Sequence, residues 1–157
     1  MAMQRIELEL FADYFQFYLQ DEDCQNDLSE AWTAEAVRDL LAVAPGIVGV
    51  GTMRNMDVPV AIDLREGEPD IQFGDWDHIS EFSIDVPSGK LVVAGCSDYF
   101  PKATRIPLEP GSYQGRVLCQ GLATLSEDGL EGQDHYTVQL WPGTARPGRV
   151  IKAWQQG

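Results

Sequence analysis

Alternation of apolar and polar residues with a period of two is the feature that most limits this chain's fold. Ile6, Leu8 and Leu10 alternate with Arg5, Glu7 and Glu9. Phe82, Ile84 and Val86 alternate with Glu81, Ser83 and Asp85, and residues 135–141 repeat the pattern. Successive side chains of a strand point to opposite faces, so the pattern predicts strands with one face buried. Residues 14–19 are aromatic-rich and alternate less cleanly, as a strand covered on both faces would. Residues 47–53, 58–64, 91–94, 105–108 and 113–120 are further strands, and 150–154 is a closing edge strand. Three reversals read as hairpins. They join 47–53 to 58–64 across Arg54-Asn55-Met56-Asp57, 82–86 to 91–94 across Pro87-Ser88-Gly89-Lys90, and 105–108 to 113–120 across Pro110-Gly111. Proline presets the first turn residue and glycine accepts positive φ, which is what such turns require.

One helix stands out. Thr33 is placed to cap residues 34–42, and Glu35 in the first turn complements the helix dipole. Trp32 and Val37 have the spacing of a hydrophobic staple; Val37, Leu40 and Leu41 form a narrow stripe, and Pro45-Gly46 stops the run. Roughly eight or nine short strands plus one helix point to a mainly β fold, a single-domain antiparallel β-sandwich with one short α-helix. It spans residues 1–157, with no repeat, low-complexity tract or linker. A chain of this length buries roughly 70% of its unfolded surface.

Charge narrows the partners. Asp and Glu total 25 against 11 for Lys and Arg, a formal net charge of −14. Such a chain repels phosphate, which disfavours direct nucleic-acid binding and docking on an anionic membrane. A basic protein partner or a cation is compatible with it. The 44% hydrophobic and 10% aromatic content argues against disorder. Residues 1–10 lack a basic segment followed by an apolar block, and the most apolar stretch, 40–51, is broken by Pro45 and Gly46. Cys24, Cys96 and Cys119 form neither a complete disulfide set nor a zinc knuckle, so the expected compartment is the cytoplasm.

The acidic residues fall in three loop clusters: Asp21, Glu22, Asp23, Asp27 and Glu30; Glu66, Glu68, Asp70, Asp75 and Asp77; and Glu127, Asp128, Glu131 and Asp134. Gathered at one end of a sandwich they form a negative rim. Asp21, Asp23, Asp75, Asp77, Glu127, Asp128 and Glu131 are the candidate partner-binding positions.

Motifs for chemistry are sparse. The run from Asp21 opens like a calcium loop but has Asn26 where the turn needs Gly and Trp32 where the bidentate Glu belongs. His78 follows Asp75-Trp76-Asp77 and His135 follows Asp134, so each imidazole has a carboxylate neighbour. No nucleophile sits in a recognisable context. A small enzyme or metal-dependent module using His78 or His135 with carboxylates, and with Cys96 or Cys119, stays open as one alternative. A ligand-binding module with Trp76 or Trp141 as a stacking platform is another. The glycines of Gly46-Ile47-Val48-Gly49-Val50-Gly51 lack the GxGxxG order and lead into a strand, which reads as close packing or a bulge. Tyr14, Phe15, Phe17 and Tyr18 lack interleaved Lys or Arg and read as a core strand, and Cys119 as a buried hydrophobe. No catalytic residue, metal site or cofactor is assigned.

The order of features resembles a known family. Asp13-Tyr14-Phe15-Gln16-Phe17 leads to Trp32-Thr33-Ala34-Glu35-Ala36 opening a helix; a Gly-rich strand ends near Arg54; and Leu108-Glu109-Pro110-Gly111-Ser112-Tyr113 enters a late strand. This resembles the competence protein J family, small acidic bacterial proteins that inhibit a DNA-entry nuclease. The resemblance runs over roughly residues 6–141, with longer acidic segments at 66–77 and 122–134. It implies a non-enzymatic interaction protein whose carboxylates take phosphate positions in a basic cleft, and it carries over no inhibitory residue.

Overall fold

In the computed structural model, which describes residues 4–155, the alternating segments form eleven strands in two sheets. The strands are β1 (Gln4–Phe11), β2 (Gln16–Asp21), β3 (Leu41–Ala44), β4 (Ile47–Gly51), β5 (Asp57–Leu64), β6 (His78–Val86), β7 (Lys90–Gly95), β8 (Thr104–Pro107), β9 (Gly111–Gln120), β10 (His135–Pro142) and β11 (Arg149–Lys152). One sheet has the order β1-β5-β10-β9-β6-β11 and the other β3-β4-β2-β7-β8. All pairings are antiparallel except β5 with β10. This is a β-sandwich, with Val60, Ile62, Phe82, Val117 and Val138 of the first sheet meeting Phe17, Leu19, Val48, Val50 and Leu91 of the second.

The three expected hairpins are corners between sheets. β4 and β5 lie in opposite sheets, as do β6 and β7, and β8 and β9. Pro87-Ser88-Gly89-Lys90 does reverse the chain, with Gly89 at φ +73°, but passes it across the core. An inward-facing residue before a turn and another after it give the same alternation in both arrangements, so periodicity does not separate them. Adjacent-strand connections are instead β3–β4, β7–β8 and β9–β10. β11 is the edge strand expected from residues 150–154.

The helix, α1 (Ala34–Asp39), is shorter than the sequence reading. Thr33 caps it as expected, its side chain accepting from the Ala36 N–H. Leu40 then adopts φ 57°, ψ 33° and ends the helix, so residues 41–44 form a strand and Pro45-Gly46 turns it into β4. Val37, the residue expected to staple to Trp32, is 58% exposed, and Ala36 is the buried side chain of the helix. α1 and residues 22–33 cover the outer face of the smaller sheet, where Leu28 and Trp32 pack on β4. A Cβ at Gly49 would lie 2.7 Å from both side chains, which is the close packing that the glycine run suggested.

Connectivity also dictates the outer face of the larger sheet. β5 and β6 run the same way, so residues 65–77 must cross the sheet to join them. Their passage buries Arg116 completely. Its guanidinium donates to Glu81 at 2.9 Å, Glu68 at 3.0 Å, Gln139 at 3.1 Å and the Pro69 carbonyl at 2.9 Å, and stands over the Trp141 ring. Burial works to raise the Glu81 pKa, but hydrogen bonds from Arg116 and Arg149 outweigh it and hold the carboxyl below its ordinary value. No helix of the described residues is long and apolar enough to cross a membrane.

His78 ties the edge of the larger sheet to the end of α1. The Trp154 N–H donates to its Nδ1 at 2.9 Å, which leaves the proton on Nε2 to donate to the Asp39 carbonyl at 2.7 Å. Burial pushes its pKa down, against the smaller upward pull of Asp39. The unfolded chain therefore takes up a proton first, and His78's contribution is complete above about pH 6.5 and erodes as pH falls through its lowered value. Thermal melts should show Tm falling between pH 7.5 and 5.5, with a shallower slope in His78→Gln. An equal slope in that variant would remove His78 as the cause.

Candidate protein-interaction site

Strand polarity brings five connections to one end of the sandwich, here the lower end, where β1 ends and β5 begins. Residues 12–15 and 52–56 pass between the sheets there. Residues 121–134 join β9 to β10, residues 96–103 join β7 to β8, and Leu40 ends α1 against Gly51. A fully buried carboxylate knits them together. Asp134 lies 2.8 Å from the Arg54 guanidinium, in ion-pair contact off the axis of a linear hydrogen bond. Its other oxygen accepts from the Tyr136 hydroxyl at 2.6 Å, which itself accepts from the Met53 N–H at 2.9 Å. Burial and the Asp134 carboxylate push the Tyr136 pKa up, so the hydroxyl stays a donor.

On this floor the chain holds Tyr14 and Phe15 in left-handed backbone, at φ 61° and 60°. For residues with a Cβ that conformation costs about 1–2 kcal/mol each, so something must hold it. The Tyr14 N–H donates to Asn55 at 2.8 Å and to Asp13 at 3.1 Å, and the Thr52 N–H donates to the Phe15 carbonyl at 2.9 Å. Asp13 is held in turn by the Ser97 hydroxyl. The result is display: Tyr14 is 72% and Phe15 50% exposed, while Phe17 is buried. The expectation that Tyr14 and Phe15 belong, with Phe17 and Tyr18, to a core strand over residues 14–19 is thereby corrected: the strand begins at Gln16. The signal lay in the paired aromatics at 14–15 and 17–18, which a single alternating strand cannot place on one face.

The exposed large apolar side chains concentrate here. Nine are found among the described residues, and all but Val43 lie toward the lower end. Phe11, Tyr14, Phe15, Val37, Met56 and Tyr99 surround the β1–β2 corner, with Phe73 and Leu130 beyond. Tyr14, Phe15 and Val37 line one groove, and exposed apolar surface gathered in this way marks contact sites on monomers.

The seven acidic candidates divide between the two ends. Asp75, Asp77, Glu127, Asp128 and Glu131 lie at the lower end, where the Asp77 carboxylate accepts from the Leu122 N–H at 3.0 Å and joins the two loops. The Ser126 hydroxyl and the Leu130 N–H lower the pKa of Asp128, which is a full charge at neutral pH. Asp21 and Asp23 lie at the opposite end. Asp21 is 3% exposed and holds the 87–89 turn, accepting from the Ser88 N–H at 3.0 Å and its hydroxyl at 2.5 Å. Asp23 is exposed beside it.

The other named residues do not assemble. His78 faces into the sandwich and His135 outward, against Trp76 at 5.9 Å between ring centroids. Cys119 is buried with its thiol pKa pushed up, and Cys96 is exposed at the end of β7. Trp141 is 3% exposed with its N–H on Gln114 at 3.0 Å, so it offers no platform; Trp76 is half-buried. No group of three or more His, Cys, Asp or Glu among the described residues is placed to hold a metal.

No protein-family model and no curated protein matches the sequence. Two solved structures share the fold. One is the crystal structure of ComJ from Bacillus subtilis, inhibitor of the DNA degrading activity of NucA, with a TM-score of 0.71 at 18% identity, covering 91% of this chain and 100% of ComJ. The other is crocagin biosynthetic gene J, with a TM-score of 0.63 at 22% identity, covering 92% of this chain and 100% of that one. The competence protein J resemblance is supported at the level of the fold.

Two substitutions separate scaffold from display. Arg54→Met strands a fully buried carboxylate and should cost about 3–5 kcal/mol in denaturant unfolding. Tyr14→Gly removes a ring that is mostly in solvent and relieves the left-handed backbone, so stability should hold or rise by up to about 1 kcal/mol. A loss beyond that in the glycine variant would mean that the ring supports the fold.

Proposed function

We propose that this chain is a non-enzymatic binding protein that neutralises a basic protein, with the basic cleft of a DNA-degrading nuclease as the partner class. The carrying observation is the lower end, where exposed aromatic side chains on a fixed backbone share one end with Asp75, Asp77, Glu127, Asp128 and Glu131. The net charge of −14 and the fold shared with an inhibitor of a DNA-degrading activity support the same reading. A nuclease cleft is built to accept phosphates, and carboxylates seated there exclude DNA while the field of the whole protein speeds encounter. Apolar contact then supplies the desolvated centre that a charged rim alone lacks.

The test is degradation of fluorescent duplex DNA by purified nucleases with basic clefts, at rising concentrations of this protein. At least one should be inhibited near stoichiometry, less so at high salt. Joint neutralisation by Asp75→Asn, Asp77→Asn, Glu127→Gln, Asp128→Asn and Glu131→Gln should slow association about tenfold and flatten its salt dependence. Asp23→Asn at the opposite end should change neither. Inhibition of no nuclease, with no basic protein retained from cell lysate at low salt, would overturn the proposal.

A further inference from the structure

Between the Tyr14–Phe15 display and α1 the lower end carries an open groove of about 440 Å³. Its walls are the rings of Tyr14, Phe15 and Trp32 with Val37, Leu40 and Met53, and its floor is Gly51 and Thr52. The groove is formed in the free protein. Trp32 Nε1 donates to Gln16 at 2.8 Å, the Gly51 N–H donates to the Leu40 carbonyl at 3.0 Å, and the aromatic wall is fixed by the Tyr14 N–H donating to Asn55 and the Thr52 N–H donating to the Phe15 carbonyl. A Cβ at Gly51 would lie 2.9 Å from the Leu40 Cα, so only glycine lets β4 pass this close to Leu40. Asp13, Asp39 and Asp98 stand around this part of the lower end, with Arg38 and Lys102 as its exposed cations.

We propose that this groove seats one aromatic side chain of the partner, carried on a segment whose neighbouring residues are Lys or Arg; this deepens the function proposed above and rests on it. Three aromatic residues line the groove, and an aromatic pair gains contact energy beyond burial when it stacks offset or edge to face. Flanking cations meet the exposed Tyr14 ring and the carboxylates of Asp13 and Asp98. An aliphatic side chain would gain burial without the ring contacts, and an aromatic segment without cations would leave the carboxylates unmatched. The two parts of the surface act on different rates: carboxylates govern encounter, and the groove governs escape.

The probes are two capped peptides, Gly-Lys-Phe-Lys-Gly and Gly-Lys-Ala-Lys-Gly, titrated into the ¹⁵N-labelled full chain at low salt. The phenylalanine peptide should shift the amides of Phe15, Leu40, Gly51 and Met53, quench Trp32 fluorescence, and bind about tenfold tighter than its alanine counterpart. Val37→Gln, at a side chain already in solvent, should abolish that difference and leave the Tm unchanged. Equal affinities, or shifts confined to residues 121–134, would overturn the groove while leaving an acidic interaction surface standing. Absence of binding by both peptides would overturn the groove as well. The function proposed above fails separately, by the nuclease assay.

Discussion

A carboxylate with no access to water has to be matched where it lies, and Asp134 is that constraint in this fold. Its partners come from two other stretches of chain, Arg54 from the β4–β5 corner and Tyr136 from the strand that follows. Removing one partner of a buried ion pair is costly because the other charge remains, so the position of each fixes the others. Through Met53 and Asn55 the same corner holds Tyr14 and Phe15 in a backbone that residues with a Cβ otherwise avoid. A polar node that contributes little net stability can still decide where an apolar surface is displayed. Here it sets two rings against solvent on a rigid floor, which lowers the ordering cost of any contact they make.

Arg116 plays the corresponding part on the outer face of the larger sheet. Parallel β5 and β6 oblige residues 65–77 to traverse that face, and backbone laid over a sheet must find donors. Arg116 supplies one to the Pro69 carbonyl while pairing with Glu81 and Glu68. Part of the second acidic cluster is thereby explained: Glu68 is tied into the roof of a buried arginine. Net charge counts such groups equally with free ones, although only the free ones are available to a partner.

Strand existence was legible because alternation follows from burial of one face, and both sheets of a sandwich bury one face. Strand partnership was not, because a corner between sheets and a hairpin within one leave the same periodic trace around Pro87-Ser88-Gly89-Lys90. Thr33 was readable as a cap since its chemistry is local. The end of the helix was not, since Leu40 takes a left-handed conformation that nothing in its own side chain favours. For the site, carboxylates in loops could be seen, and five of the seven candidates share an end. The roles of Asp21 and of Tyr14 and Phe15 stayed hidden for opposite reasons. One is a charge that the fold buries to hold a turn; the others are rings that the fold exposes.

That inversion bears on how an acidic protein acquires specificity. A diffuse excess of carboxylates attracts every cation, and at physiological salt its reach is about 8 Å. Attraction of that kind accelerates encounter with many proteins and distinguishes few of them. Under the proposed function, discrimination comes from a feature that must be filled, and the lower end offers a groove lined by aromatic side chains beside the displayed rings. The opposite end has Asp23 in solvent and Asp21 folded inward, without an exposed aromatic among its described residues. Both ends of the sandwich thus carry carboxylates, and among the described residues only the lower end joins them to exposed aromatic side chains.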